Sequence, residues 1–230
     1  MDIEELREDF PALEEEEAYL DSACMTLKPR QVMEAMNHYY EDLGACGGKR
    51  SSHPLSRKTQ EKAREARGKV AEFINAERDE VVWTRNTTES MNLVANALEL
   101  EKGDNIVVTN LDHHSGSLPF WKMAQQKEVE LRVLETRDGL FEPEAWQEKI
   151  DEDTALVSLV HVSNVTGTET PVKQVVEIAH ENDARVVLDG AQSVPHQPVD
   201  VKELDVDFLA FSIHKMLGPT GMGVLYGKRW

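Results

Sequence analysis

A chain of 230 residues with 40% hydrophobic content can bury a substantial core and lies near the upper end for one domain. Against 25 basic side chains stand 43 acidic ones, a formal net charge of -18, and such a surface repels phosphate backbones, which argues against general nucleic-acid binding. No apolar run approaches the roughly 18 residues that span a bilayer, and the opening MDIEELREDF has no apolar signal core, so the expectation is a cytoplasmic protein with no membrane partner.

In chain order, Ile3, Leu6, Phe10 and Leu13 recur at near-helical spacing and predict a short helix that Pro11 must interrupt. YLDSACMTLKP reads as an extended arm. PRQVMEAMNHYYEDL reads as a helix with Pro29 near its start. GACGGKRSSHPLS, rich in glycine and serine, reads as a loop, and RKTQEKAREARGKVAEFIN as a long helix with Ala63, Val70, Phe73 and Ile74 on its apolar side. From there strands and helices alternate. EVVWT, NIVVTN, ELRVLE, ALVSLVHVS, ARVVLDG, DFLAFS and GVLYG read as strands; TESMNLVANALEL, a segment around Leu118–Lys127, PEAWQEKI and VKQVVEIAHEN read as helices. Continuous apolar strands between helices predict a three-layer α/β/α domain with a mostly parallel sheet, covered on both faces. The expected division is residues 1–60 as N-terminal helix, arm and loop, and residues 61–230 as the ligand-binding domain. Cys24 and Cys46 belong to no CxxC pair, so neither a structural zinc site nor a disulfide is expected.

Ligands of such sheets bind beyond the carboxyl ends of the strands. The residues that follow the predicted strands are RNTTES, LDHHSG, Asn164, Asp189 with Gln192, and the IHK of FSIHKMLGPTG. Taken singly, each has a plain explanation. Thr87 or Thr88 can cap a helix, Asp189 and Asn164 can close turns, and Lys215 can be a solvated lysine. His161, inside a predicted strand, reads as a hydrogen-bonded core histidine. His113 and His114 form a metal-like pair, but no third ligand stands at useful spacing, so no metal is expected. GPTGMG lacks the GK[ST] ending of a phosphate loop and reads as a turn into the last strand.

Taken together, these residues match one ligand chemistry. Lys215 can condense with an aldehyde as a Schiff base. Asp189 can keep a pyridine nitrogen protonated, and His113 can stack on the ring and move protons. Gln192 and Asn164 can hydrogen-bond a ring hydroxyl. Thr87 and Thr88 open a helix whose free N–H groups and dipole suit a phosphate, to which Ser212 and His214 can add donors. An aldehyde, a pyridine, a hydroxyl and a phosphate on one molecule describe pyridoxal 5'-phosphate (PLP).

At the same residues the chain resembles the class V aminotransferases among the fold-type I PLP enzymes, and most of all their cysteine desulfurase and selenocysteine lyase branch. The resemblance runs from LREDFPAL through YLDSA, RNTTESMNLVANAL, DHHSG, LVHVSNVTGTETPV, VVLDGAQSVPHQPVDV and FSIHKMLGPTGMGVLYG, nearly the whole chain. It implies that Lys215 carries the cofactor, that Asp189 faces the pyridinium, that Gln192 contacts the ring oxygen and that His113 stacks. It also implies that Thr87, Thr88, Ser212 and His214 serve the phosphate and that Asn164 lies near the ring oxygen and substrate carboxylate. RSSHPLS resembles a family segment close to the active site, which puts Arg50 and His53 near substrate, as the position of Cys24 in SACM also is.

Departures from the family pattern bear on substrate choice. Lys49 stands where a histidine is usual, Ile213 where glycine is common, Asp112 for glutamate, Gly116 for asparagine and Cys24 for alanine. The family continues past the counterpart of Trp230 with the rest of the large domain and a smaller domain, a part that carries a carboxylate-binding arginine and, in desulfurases, a sulfur-accepting cysteine, so residues 61–230 are expected to be an incomplete large domain. The resemblance therefore implies a chain truncated at its C-terminus, a fragment or one half of a split polypeptide. It also implies an amino-acid substrate, conversion of cysteine to alanine with enzyme-bound sulfur, a homodimer, and a sulfur acceptor in iron–sulfur assembly. The residues themselves leave open another class V reaction (an aminotransferase, an epimerase-like enzyme or a kynureninase-like lyase) and a non-catalytic half that binds the cofactor or a partner.

Overall fold

The computed structural model describes residues 2–13, 18–48, 52–136, 139–141 and 143–229. Seven strands form one sheet: β1 (Val81–Thr84), β2 (Asn105–Thr109), β3 (Glu130–Leu134), β4 (Thr154–Val160), β5 (Arg185–Asp189), β6 (Phe208–Ser212) and β7 (Gly223–Gly227). Their order is β1-β7-β6-β5-β4-β2-β3, and only β7 runs against its neighbours. The carboxyl ends of the other six strands therefore share one sheet edge.

Period-two alternation along the strands decides the layers. Val107, Val157, Val186, Leu188, Leu209 and Phe211 enter one core, with Trp146 and the Val172, Val175 and Val176 stripe. Ile106, Val108, Leu156, Val187 and Ala210 enter the other, with Met91, Val94, Phe120 and Met123. The first core is covered by the end of α3 (Pro54–Phe73), α6 (Pro143–Lys149) and α7 (Val172–Glu181), and the second by α4 (Thr87–Ala97) and α5 (His114–Lys127). At about 1.5–3 kcal/mol for each fully buried aliphatic or aromatic side chain, these two layers hold the sheet edge in place. Outside them lie α1 (Ile3–Glu8), α2 (Arg30–His38) and the arm between; α8 (Val201–Leu204) joins β5 to β6.

The helix expected around Leu118 begins at His114 instead, because His113 caps it, its ring Nδ1 accepting from Ser115 N at 3.2 Å. Pro11 ends α1 as expected and opens a 3-10 turn, Pro11–Leu13. The helix after Pro29 loosens into a wider π-type turn, Tyr39–Leu43. PLS, read as loop, is the first turn of α3, with proline at a position where no N–H is needed. Residues 60 and 61, drawn as a division, both lie inside that helix. His161 is buried just past β4; its Nε2 lies 3.4 Å from Gln197 Nε2, while Nδ1 has no partner among the described residues.

The run read as a turn has a stricter role. A Cβ on Gly223 would lie 2.6–2.8 Å from the backbone Cα, N and C of Asn86, the residue that caps α4. Backbone on both sides leaves no flexible atom to yield. We expect Gly223→Ala to destabilise the chain by about 3 kcal/mol, the upper part of the overpacking range, and to push the first turn of α4 off the sheet edge. Urea unfolding reads the first effect and amide exchange at Thr87 and Glu89, whose N–H groups bond to Ser212 Oγ and the Asn86 side chain, the second.

Candidate active site

The sheet's topological switch point lies between β2 and β4: the chain leaves β2 outward to β3 and returns on β2's other side as β4. Crevices at such points are where open α/β sheets bind ligands. A cleft of about 440 Å³ opens there, lined by Asn86, Thr87 and Thr88 after β1, His113 and Ser115 after β2, Val162 and Asn164 after β4, Asp189, Ala191 and Gln192 at the end of β5, and Ser212, His214 and Lys215 after β6. Asp21, Ala23 and Cys24 of the arm close one side.

Ten of the twelve residues singled out by sequence thus share one cleft. The two exceptions come from RSSHPLS. Arg50 lies outside the described residues. His53 is the N-cap of α3, where its Nδ1 accepts from Leu55 N at 3.2 Å, and it does not line the cleft. Sequence reasoning passed over Asn86, Ser115, Val162 and Ala191. Asn86 and Ser115 lie within the segments after the predicted strands, RNTTES and LDHHSG, and could have been picked out there; Val162 lies inside the run ALVSLVHVS read as strand, and Ala191 has no chemical signal.

Asp189 is 4% exposed. One carboxylate oxygen accepts from Ala191 N at 2.9 Å, and the other receives no hydrogen bond among the described residues. Burial pushes its pKa above the ordinary carboxylate value, against the Ala191 bond and the charges of Lys215 and His113. The floor beneath it is Gly116, whose added Cβ would stand 3.2 Å from Asp189 Oδ2. A buried carboxylate with an unused oxygen facing a cleft asks for a cation or an N–H donor.

Lys215 ends a 3-10 turn, Ile213–Lys215, directly after β6. Burial lowers the pKa of its amine, and Asp189 and Cys24 oppose that shift. A lowered pKa leaves more of the amine neutral and nucleophilic near pH 7. His214 is held below the ordinary imidazole value by burial, then by the charges of Lys215 and Lys28.

At the far end of the cleft, α4 presents its N-terminus. The Asn86 side chain accepts from Glu89 N at 2.9 Å, and Thr87 N donates to Ser212 Oγ at 2.9 Å, which also meets Thr87 Oγ1 at 2.7 Å. Thr88 is exposed, and its N–H has no partner among the described residues. A free N–H at the positive end of a helix, beside two hydroxyls, suits a phosphate.

The β2–α5 turn that bears His113 is fixed from below. The Asp112 carboxylate accepts from Thr109 N at 2.9 Å, Thr109 Oγ1 at 2.8 Å and Val160 N at 2.9 Å, tying β2 to β4. Burial nonetheless pushes it up to about 7. A carboxyl whose folded pKa exceeds its unfolded one favours folding in its protonated form. That contribution is full below pH about 4 and is lost as pH rises to about 7, up to about 4 kcal/mol in all. Asp112→Asn, neutral throughout, should flatten this part of the stability profile, read as urea midpoints at pH 5 and pH 8.

A mostly parallel sheet, a lysine after one strand, a buried carboxylate at the end of its neighbour and a helix N-terminus opposite together define the large-domain fold of the fold-type I PLP enzymes. The aminotransferase class-V profile matches residues 18–230, and the chain belongs to that family. A cysteine desulfurase of Haloferax volcanii is 42% identical over 252 residues, covering 100% of this chain and 59% of its own. The apo structure of a cysteine desulfurase from Thermococcus onnurineus NA1 superposes with a TM-score of 0.92 at 40% identity, over 99% of this chain and 57% of that one. A C-DES mutant structure with glycine covalently linked to its PLP cofactor superposes with a TM-score of 0.87 at 25% identity, over 96% of this chain and 59% of that one. The chain thus spans somewhat over half the length of these relatives. Among the described residues, no helix is long and apolar enough to cross a membrane.

Proposed function

We propose that the chain forms the PLP-binding large domain of a cysteine desulfurase-like enzyme, which converts cysteine to alanine and enzyme-bound sulfur. The observation that carries this is the placement of Asp189, Lys215 and the α4 N-terminus around one cleft. When bound, PLP supplies an aldehyde for amine chemistry and a protonated ring that accepts electrons. The fit rests on the unused Asp189 oxygen and the free Thr88 N–H.

In this reading Asp189 meets the ring nitrogen and holds its proton. Lys215 would hold the aldehyde carbon through its amine, and the lowered pKa of that amine suits it to take the substrate's α-proton. His113 would cover one ring face, and Val162 also lines the cleft. Gln192 and Asn164 orient the ring oxygen; the Gln192 amide is steadied by donation to Ala23 O at 2.7 Å. Thr87, Thr88, Ser212 and His214 hold the phosphate. Cys24, which lines the cleft, and Arg50 belong near the substrate, whereas His53 serves as the cap of α3. The same reading brings a homodimer, a sulfur-acceptor protein in iron–sulfur assembly, and a cytoplasmic setting.

The test is covalent capture. One portion of the purified chain is incubated with PLP, reduced with borohydride and digested for peptide mass mapping; a second, unreduced portion with PLP is assayed for alanine after addition of cysteine. An adduct on Lys215 together with alanine supports the reading. An adduct without alanine from cysteine, but with turnover of another amino acid, moves the chain to another class V reaction. No adduct in a folded chain sinks the reading of the cleft.

A further inference from the structure

The arm, residues 18–29, carries neither helix nor strand beyond a turn at 22–24, yet it is stitched to the loop that bears the lysine. The peptide carbonyl of His214, the last group before Lys215, accepts from Thr26 N at 3.1 Å, Thr26 Oγ1 at 3.0 Å and Lys28 Nζ at 2.9 Å. On the other side of Lys215, Leu217 N donates to the same Thr26 Oγ1 at 2.8 Å. One threonine hydroxyl thus spans the lysine, donating to the carbonyl before it and accepting from the amide two residues after it.

The bridged segment needs such support. Leu217 has φ +68°, a left-handed conformation that a leucine adopts at a cost of about 1–2 kcal/mol. The loop's own bonds are Met216 N and Gly218 N, both to Ile213 O at 3.0 Å. These hold Ile213 and leave the His214 carbonyl and Leu217 amide to the arm. Lys28 is an unusual choice for the task. Its ammonium is half-buried, has no carboxylate partner among the described residues, and spends its donors on the His214 carbonyl and on Thr26 O at 2.5 Å. Burial lowers its pKa. A lysine whose only service was solubility would keep its head group in water.

We infer that Thr26 and Lys28 are positioning residues for Lys215: the arm fixes the peptide groups on both sides of the lysine and so sets the direction from which its amine enters the cleft. Lys215 hangs on four rotatable bonds, so a small rotation of its backbone displaces the amine by an ångström or more. Misplacement of that size at a reacting centre slows chemistry about 10²-fold. The inference rests on the reading of Lys215 as the cofactor-bearing residue, while the hydrogen bonds stand without it.

The experiment compares Thr26→Val and Lys28→Met, near-isosteric changes that remove the donors, with Thr26→Ser and Lys28→Arg, which keep them. Three quantities are read on the purified chain: amide exchange at Leu217, the pH profile of Lys215 acetylation relative to the exposed Lys122, and the rate of PLP attachment to Lys215. Thr26→Val and Lys28→Met should speed Leu217 exchange at least tenfold. They should also move the acetylation midpoint of Lys215 upward, toward that of a solvated lysine, because Asp189, held at the end of β5, continues to face the amine while its burial is lost. PLP attachment should slow at least tenfold, and the Ser and Arg variants should restore all three. A fall in melting temperature with the Lys215 acetylation profile and attachment rate unchanged would show that the arm only adds stability, and would overturn the inference. Shifted acetylation in the variants of a chain that never binds PLP would leave the positioning intact and instead refute the cofactor reading. If Thr26→Val does not fold, Lys28→Met alone decides between these outcomes.

Discussion

Lys215→Ala is expected to abolish borohydride-stable capture of PLP on the chain, while leaving most of the non-covalent site in place. Among the described residues, the Lys215 amine is the only primary amine in the cleft lining, and so the only group there that can form a carbon–nitrogen double bond to an aldehyde. The alanine variant removes that bond and also removes the base. General-base loss alone is worth about 10²–10⁴ in rate, so amino-acid turnover should fall to background. Binding should suffer less, because Asp189, the Thr87–Ser212 pair and the α4 terminus lie on other elements, none of which depends on the lysine side chain. Fold should not suffer: Lys215 makes no side-chain hydrogen bond among the described residues, and deletion of a partly desolvated amine removes a penalty of its own. Equilibrium dialysis with PLP, peptide mapping after reduction, and a melting curve together read all three. An adduct of undiminished yield on another lysine of the variant would mean that Lys215 is not the attachment point.

The sheet and the cofactor cleft were legible because they are written in local signals. Strands buried on both faces leave continuous apolar runs such as NIVV and VVLD, and a polar residue after such a run must stand at the sheet edge. Once strand direction is fixed, Thr88, His113, Asn164, Asp189 and Lys215 have to converge. What stayed hidden depends on distant backbone. Gly223 reads as turn chemistry until Asn86 is seen packed over it. Thr26 and Lys28 look like ordinary arm residues, because their partner is a main-chain carbonyl 186 to 188 positions away, which leaves no trace in side-chain pattern. His53 sits in a segment read for substrate, yet in the chain described it serves as a helix cap. The start of α5 stayed hidden for a related reason: it begins at His114, a turn before the segment read as helix, and the histidine that caps it is not a usual capping residue.

Asp189→Asn should separate stability from function. The substitution keeps shape and volume, and its carbonyl oxygen can still accept from Ala191 N. What it removes is charge. In the cofactor-free chain that charge is a burden: burial raises the pKa of Asp189, so the fold favours the protonated form. The stability this form provides is complete below the unfolded value near 4 and is lost as pH rises through the raised folded one. Asparagine should therefore leave the cofactor-free chain at least as stable as wild type at pH 8, with the gain vanishing near pH 4. With PLP bound, the balance reverses. A neutral amide cannot hold a proton on the ring nitrogen, and the ring loses its ability to draw electrons from the substrate. Removal of one preorganised electrostatic partner of this kind costs about 10²–10³ in rate, roughly 3–4 kcal/mol in the barrier. The expected pattern is thus an unchanged or higher melting temperature at pH 8, retained covalent capture at Lys215, and alanine formation from cysteine slowed at least a hundredfold. A variant that is less stable at pH 8 and equally active would place Asp189 in the framework of the fold rather than against the cofactor.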